Sequence, residues 1–312
     1  KKIYKLIHDT RSIVIGMNYF PGGFSNIKYS PLAEGEIIYH IDLYRIKSID
    51  EIERRGLPIL AIIPARMASS RFPGKPMALI HGMPMIGHCY CRVQRCEELS
   101  DTYVATCDRE IFDYIESIGG KAIMTADTHE RASDRAAEAM LKIEEQTGER
   151  TDILVMVQGD EPMDTPQMIS EALAPMLADE RIDVVNLVSP ISSADEFEDP
   201  NTVKVVIDSS GDALYFSREP IPSRKKWSEE VPMQKQVCVI PFRRDYLLKF
   251  NSTPETPLEK IESVDMLRVL ESGAKVRMIP TSYPSTGVDT PQHLERVADL
   301  MREDTLMKGY LS

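Results

Sequence analysis

The segment from Pro64 to Pro76, PARMASSRFPGKP, gathers Arg66, Arg71 and Lys75 with Ser69, Ser70 and Gly74 directly behind an apolar run. Backbone N–H groups, hydroxyls and cations crowded into one turn are what a polyphosphate requires. Between Leu57 and Cys96 stand five cations, Arg66, Arg71, Lys75, Arg92 and Arg95, and no carboxylate, although 37 Lys+Arg against 49 Asp+Glu give the whole chain a net charge of −12. An anion therefore belongs at this segment. A nucleic acid polymer or an anionic membrane does not, because the field of the rest of the chain repels both. The spacing matches neither a P-loop nor Gly-x-Gly-x-x-Gly, which disfavours an ATPase or a dinucleotide enzyme. The competing reading of the same residues is a solvated basic loop.

A second candidate is Val155-Met-Val-Gln-Gly-Asp-Glu-Pro, where an apolar strand runs out into Gln158, Gly159 and Asp160. Open α/β sheets place ligand groups at the carboxyl ends of their strands, and Mg²⁺ is held by one or two carboxylates together with phosphate oxygens. Asp160 is thus a candidate Mg²⁺ ligand, or else a cap for a helix beginning near Pro166. A third is Ser285-Thr-Gly-Val-Asp-Thr-Pro-Gln. Asp289 there is either an ordinary N-cap or the second carboxylate of the same metal site. His81, His88 and His129 read as structural or solvated side chains. Trp227 with Arg224, Lys225 and Lys226 reads equally as a lid over substrate or as a solvated loop.

The elements that must position these groups alternate from Pro58 onward between apolar strand and amphipathic helix, the mark of a layered α/β fold with a mostly parallel sheet. Strands are expected at Ile59–Pro64, Tyr103–Thr106, Lys121–Met124, Ile153–Gln158, Val184–Val188, Val237–Ile240 and Val276–Ile279. Helices are expected at Met85–Leu99, Glu110–Ile118, Ser133–Glu145, Pro166–Leu177, Leu258–Glu271 and from Thr290. Val203–Ile207 and Ala213–Phe216 form a β-hairpin that interrupts the rhythm as an inserted lobe. Residues 58–312 make one domain. Residues 1–57 are set apart as an extension or small subdomain of open role, with β-like runs at Ser12–Met17 and Glu36–Tyr44 and a short helix over Lys47–Arg55.

No apolar run approaches the roughly 20 residues of a membrane-spanning helix, so no membrane insertion is expected. Five cysteines without paired metal-ligand spacing read as buried or incidental thiols. With no cleavable apolar leader among these residues, the expected compartment is the cytoplasm.

Six motifs occur in order: Ile62-Ile-Pro-Ala-Arg-x-x-Ser-Ser-Arg-Phe-Pro-Gly-Lys-Pro, Val104-Ala-Thr-Cys-Asp-Arg-Glu-Ile, Gln158-Gly-Asp-Glu-Pro, Tyr215-Phe-Ser-Arg-Glu-Pro-Ile-Pro, Pro257-Leu-Glu-Lys-Ile-Glu-Ser and Gly287-Val-Asp-Thr-Pro. Over about residues 59–300 the chain resembles the 3-deoxy-manno-octulosonate (Kdo) cytidylyltransferases. That resemblance implies a Rossmann-like nucleotide-diphospho-sugar transferase fold and a homodimer acting in lipopolysaccharide biosynthesis. The implied reaction joins CMP from CTP to a 2-keto-3-deoxy acid sugar, with Mg²⁺, and releases pyrophosphate. It also implies catalytic roles for Arg66, Lys75, Asp160 and Asp289, with the metal on Asp160 and Asp289. The nucleotide would be held by Ala65, Arg66, Ser69, Ser70, Arg71, Lys75, Asp160 and the run Arg131, Ser133, Asp134, Arg135. The acceptor would be held by Gln158, Arg218, Gln236, Ile240, Glu259 and Glu262.

The chain departs from the family pattern at three places, one of them Cys107, which stands where the family commonly has Asp as a neutral structural change. Arg131-Ala132 stands where the family has Ser-Gly, beside the base site, and Gln236 and Ile240 replace a His and a Tyr expected to touch the sugar acid. Lost hydrogen bonds of that kind cost about 1–3 kcal/mol each unless the substrate differs. The acceptor alternatives are accordingly an amino-substituted Kdo, a nonulosonate or a phosphonate, and a non-catalytic nucleotide-binding module is the reading from another class.

Overall fold

The computed structural model describes the backbone of 4–8, 11–15, 28–31 and 37–40, and residues 57–68, 71–226 and 231–311. The chain divides into two compact units, Lys1–Gly56 and Leu57–Ser312. In the first, β1 (Tyr4–His8) pairs antiparallel with β2 (Arg11–Ile15), and β3 (Lys28–Pro31) with β4 (Ile37–His40). The expected helix over Lys47–Arg55 lies outside the described residues, as do Ser69, Ser70 and Trp227.

The second unit is built on β5 (Ile59–Ala65), which is buried along its whole length, as a central strand covered on both faces must be. Its side chains alternate between two cores. Ile59, Ala61, Ile63 and Ala65 meet the helices Met85–Val93 and Pro166–Ala178, whereas Leu60 and Ile62 meet Ala132–Thr147 on the other face. A hairpin of β6 (Leu79–Ile80) and β7 (Met83–Pro84) precedes the first helix. The strands β8 (Asp101–Thr106), β9 (Ala122–Met124) and β10 (Ile153–Val157) join β5 in parallel, giving the order β15-β10-β5-β8-β9. Only β15 (Val239–Arg243) runs antiparallel. Reversed beside β10, it brings Ile240 opposite Met156 at the rim where the parallel strands end.

A second five-stranded sheet has the order β13-β12-β14-β11-β16, from β11 (Val185–Pro190), β12 (Lys204–Ile207), β13 (Ala213–Ser217), β14 (Gln234–Val237) and β16 (Arg277–Pro280). The hairpin expected from sequence is the β12–β13 pair, and it belongs to this sheet rather than standing alone.

Three expected elements differ. The helix from Met85 stops at Val93, where Gln94 and Cys96 turn back on Tyr90 and Val93. The helix expected over Leu258–Glu271 is two, Pro257–Glu262 and Met266–Glu271, broken where Ser263 takes a left-handed φ of 52°. The strand expected at Val237–Ile240 divides at Cys238, its first half pairing in one sheet and its second in the other. Cys89, Cys91 and Cys96 are buried, and all five cysteines are free; burial, with Glu98 against it, pushes the Cys96 thiol up to about 12. No helix among the described residues is long and apolar enough to cross a membrane.

Candidate active site

Where β5 and β10 end, the chain opens into a cleft of about 1170 Å³ with an adjoining recess of about 330 Å³, and Arg66, Arg71, Arg131, Gln158, Asp160 and Asp289 line both. The loop after β5 is closed on itself by Gly74 N–H donating to Met67 O at 3.0 Å, a turn that Gly74 enters with φ 74°. Asp108, at the end of β8, pins the same loop by accepting from Met67 N–H at 2.8 Å. Asp108 is a functional support that the sequence displayed in its second motif but assigned no role.

Both candidate metal carboxylates are released from helix capping. Thr165 caps Pro166–Ala178 by accepting from Met168 N–H at 3.3 Å, and Thr290 caps Pro291–Met301 by accepting from His293 N–H at 3.2 Å. Asp160 and Asp289 instead converge on one ammonium. Lys75 Nζ donates to Asp160 and to Val288 O (3.0 Å), and lies 3.8 Å from Asp289, which also pairs with Arg71 at 2.9 Å. The two loops are stitched together by Val288 N–H donating to Asp160 O at 2.9 Å. Arg66 is exposed in the cleft and has no hydrogen bond or ion pair among the described residues.

Behind Asp160, Ser285 donates to Glu161 at 2.5 Å. Burial drives the Asp164 carboxyl well above its ordinary range and Glu161 beside it adds to the rise; burial raises Glu161 too. Among the described residues no group of three or more His, Cys, Asp or Glu side chains could by itself hold a metal ion. Two carboxylates facing a cleft that Arg66 and Arg71 also line are nevertheless a donor set that suits Mg²⁺, which takes its remaining ligands from phosphate and water.

Of the expected nucleotide residues, Ala65 and Arg135 line the recess with Arg66, Arg71 and Lys75. Arg135 is buried; it donates to Thr125 Oγ1 and Ala126 O, and its Nη2 has no partner among the described residues. Ser133 is turned away, donating to Asp265 at 3.2 Å, and Asp134 lines neither cavity. Arg131 does not present a free cation to the base. Its guanidinium is taken up by Glu255 (2.5 Å), Glu259 (2.8 Å) and Asp265 (2.5 Å). Because it compensates two largely buried carboxylates, Arg131→Ala is expected to lower unfolding stability by about 3 kcal/mol in denaturant melts.

On the acceptor side Gln158, Arg218, Gln236 and Ile240 line the cleft. Glu259 and Glu262 do not. Glu259 is fully buried, bidentate with Arg268 at 2.6 and 2.8 Å. Glu262 accepts from Ser217 Oγ (2.8 Å) and Arg218 N–H (2.7 Å), holding the Arg218 loop from behind. The partners that hold both carboxylates, Arg268 and the Ser217–Arg218 segment, are features of tertiary packing invisible in the local pattern. Arg92 and Arg95 are also outside the cleft: Arg92 is buried against Asp304 and the carbonyls of Met163 and Asp164, and Arg95 holds Cys91 O and Gly309 O. Helix geometry points these two cations at the C-terminal helix.

The three histidines have structural partners. His88 is buried between Ile80 O and Tyr310, His81 contacts Ala298 O, and His129 contacts Glu138. Burial works to raise the Glu138 carboxyl, but Lys142, the Ala126 N–H and His129 outweigh it and bring it down to about 2. A depressed carboxylate contributes stability above its unfolded value, and this is lost as pH falls through the folded one. Glu138→Gln is therefore expected to lessen the acid sensitivity of the melting temperature between about 4.5 and about 2, while lowering it at neutral pH.

A family model described as Cytidylyltransferase matches residues 60–276. The 3-deoxy-manno-octulosonate cytidylyltransferase of Geobacter metallireducens is 45% identical over 253 residues, covering 78% of this chain and 97% of that protein. Its counterpart in Geobacter sulfurreducens is 42% identical, with coverages of 78% and 99%. Among solved structures, a CMP:2-keto-3-deoxy-manno-octonic acid synthetase complexed with CTP superposes with a TM-score of 0.72 at 40% identity, covering 78% and 98% of the two chains. The 4-diphosphocytidyl-2C-methyl-D-erythritol synthase of Anaerococcus prevotii shares the fold alone, with a TM-score of 0.53 at 14% identity and coverages of 80% and 97%.

Proposed function

Because this chain belongs to the 3-deoxy-manno-octulosonate cytidylyltransferase family, we propose that its cleft joins the CMP of CTP to the anomeric hydroxyl of Kdo and releases pyrophosphate. The observation that carries the reading is the convergence of Asp160 and Asp289 on Lys75, with Arg66 and Arg71 alongside, at one end of a cleft whose other wall is Gln158, Arg218, Gln236 and Ile240.

In this reading the exposed Arg66, with Arg71 and Lys75, holds the triphosphate, and Arg71 and Lys75 stabilise charge on the departing pyrophosphate. Arg135 Nη2 meets the nucleotide in the recess. Asp160 and Asp289 would hold Mg²⁺, which when bound neutralises phosphate oxygens so that an anionic acceptor can approach. Arg218 lies where it can orient the acid, its guanidinium held by the carbonyls of Glu262, Pro200 and Ser263. Alignment of hydroxyl, phosphorus and leaving group is then most of the catalysis.

A homodimer in the cytoplasm completes the proposal. The test is pyrophosphate release from CTP and Mg²⁺ with Kdo set against a panel of other acids; preferential turnover of a different acid would refute the acceptor, and no nucleotidyl transfer to any of them would refute the reaction.

A further inference from the structure

Arg131 is the residue from which the helix Ala132–Thr147 starts, and a cation at that end of a helix runs against the macrodipole. Its guanidinium is spent on three carboxylates of the stretch 255–265, Glu255 at 2.5 Å, Glu259 at 2.8 Å and Asp265 at 2.5 Å. A second guanidinium, Arg268, is bidentate with Glu259 at 2.6 and 2.8 Å. Two cations thus serve three carboxylates, and the division is uneven. Glu259 has Arg268, and Glu255 has Lys260 at 3.7 Å besides Arg131. Asp265 has no ion-pair partner other than Arg131 among the described residues, and the Ser133 hydroxyl donates to its other oxygen at 3.2 Å. Burial pushes the Asp265 carboxyl up, and Arg131 opposes that rise. Asp265 lines the large cleft together with Ser263, Val264 and Met266, whereas Arg131 lines both that cleft and the recess.

Resting on the reading above that CTP occupies this cleft, we infer that Arg131 is a positioning residue that acts through Asp265, screening that carboxylate and the acidic stretch behind it from the anionic nucleotide. Without the guanidinium, a carboxylate on the wall would stand uncompensated in the cavity that Arg66 and Arg71 line, and like charges brought together weaken binding. The cluster of Arg131, Arg268, Glu255, Glu259 and Asp265 carries −1 with Arg131 and −2 without it. Arg131 needs no contact with base or phosphate for this role. Its loss is felt as repulsion and not as a missing hydrogen bond.

The test is equilibrium binding of CTP by titration calorimetry, at mildly alkaline pH so that carboxylates of raised value are ionised, for the wild type, Arg131→Gln, Asp265→Asn and the double variant. Arg131→Gln is expected to weaken binding about tenfold, and adding Asp265→Asn to restore most of it. Asp265→Asn alone leaves no carboxylate of the cluster unpaired, because Arg131 keeps Glu255 and Glu259, and it is expected to tighten binding. Added KCl separates charge from shape. Wild-type affinity should fall with salt as the cationic loop is screened, and that of Arg131→Gln should fall less steeply, since part of what salt screens there is repulsion. A merely structural role would lower the melting temperature of Arg131→Gln and leave the salt slope unchanged. Wild-type affinity or salt slope in Arg131→Gln, no recovery in the double variant, or binding by Asp265→Asn no tighter than the wild type would overturn the inference, and the last comparison holds even if Arg131→Gln does not fold. None of these readouts requires turnover. CTP binding without pyrophosphate release in the presence of Kdo would overturn the reaction and leave the inference standing, whereas no CTP binding by the wild type would overturn both.

Discussion

Asp289→Asn is expected to lower kcat at saturating CTP by about a hundredfold or more, the range found when one charged group facing the developing transition-state charge is removed. The substitution is nearly isosteric and the helix after it loses nothing, because Thr290 is the cap. What disappears is a charge that faces Arg71 and Lys75. Partly exposed ion pairs contribute little to stability, so the melting temperature should stay close to that of the wild type. A Mg²⁺ titration of initial rates discriminates further. If Asp289 holds the ion, the variant needs more Mg²⁺ for half-maximal rate; an unchanged rate and unchanged Mg²⁺ dependence would remove Asp289 from the metal site.

Gly159→Ala is expected to fail for a different reason. A Cβ at this position would lie 2.8 Å from Pro64 O and 3.1 Å from Ile86 Cδ1. The Ile86 methyl can shift, but Pro64 O belongs to the backbone of β5 immediately before Ala65 and Arg66. Overpacking of this kind costs about 1–3 kcal/mol, and here the strain is delivered to the root of the loop that carries Arg66, Arg71 and Lys75. Activity should fall at least about tenfold, because small misplacements of positioned groups are costly in rate. Adding Ile86→Val relieves only the side-chain contact, so the double variant should remain impaired; recovery of full activity would show that the backbone approach is not the cause.

The strands that carry the site were legible because β5 and β10 are uninterrupted apolar runs, Ile59-Leu-Ala-Ile-Ile and Ile153-Leu-Val-Met-Val. Polar residues just beyond such runs mark the ligand edge of a parallel sheet. The direction of individual side chains was not legible. Composition placed five cations before Cys96, yet Arg92 and Arg95 point to the C-terminal helix, since charge alone does not say which face of a helix meets the cleft. Glu259 and Glu262 share one motif, and only their tertiary partners show that Glu259 is buried against Arg268 while Glu262 holds the Arg218 backbone from behind. Arg131 looked like a cation offered to the base. Three carboxylates from a distant stretch of sequence claim it, and no local pattern announces them.

The strand that changes sheets at Cys238 has a consequence for how such an enzyme can diversify. Its residues before the crossover are laid down by the second sheet, and the Arg66–Lys75 loop follows β5 of the first. A substitution at Gln236, before the crossover, therefore changes what that wall of the cleft offers without being made on the sheet that carries the loop after β5.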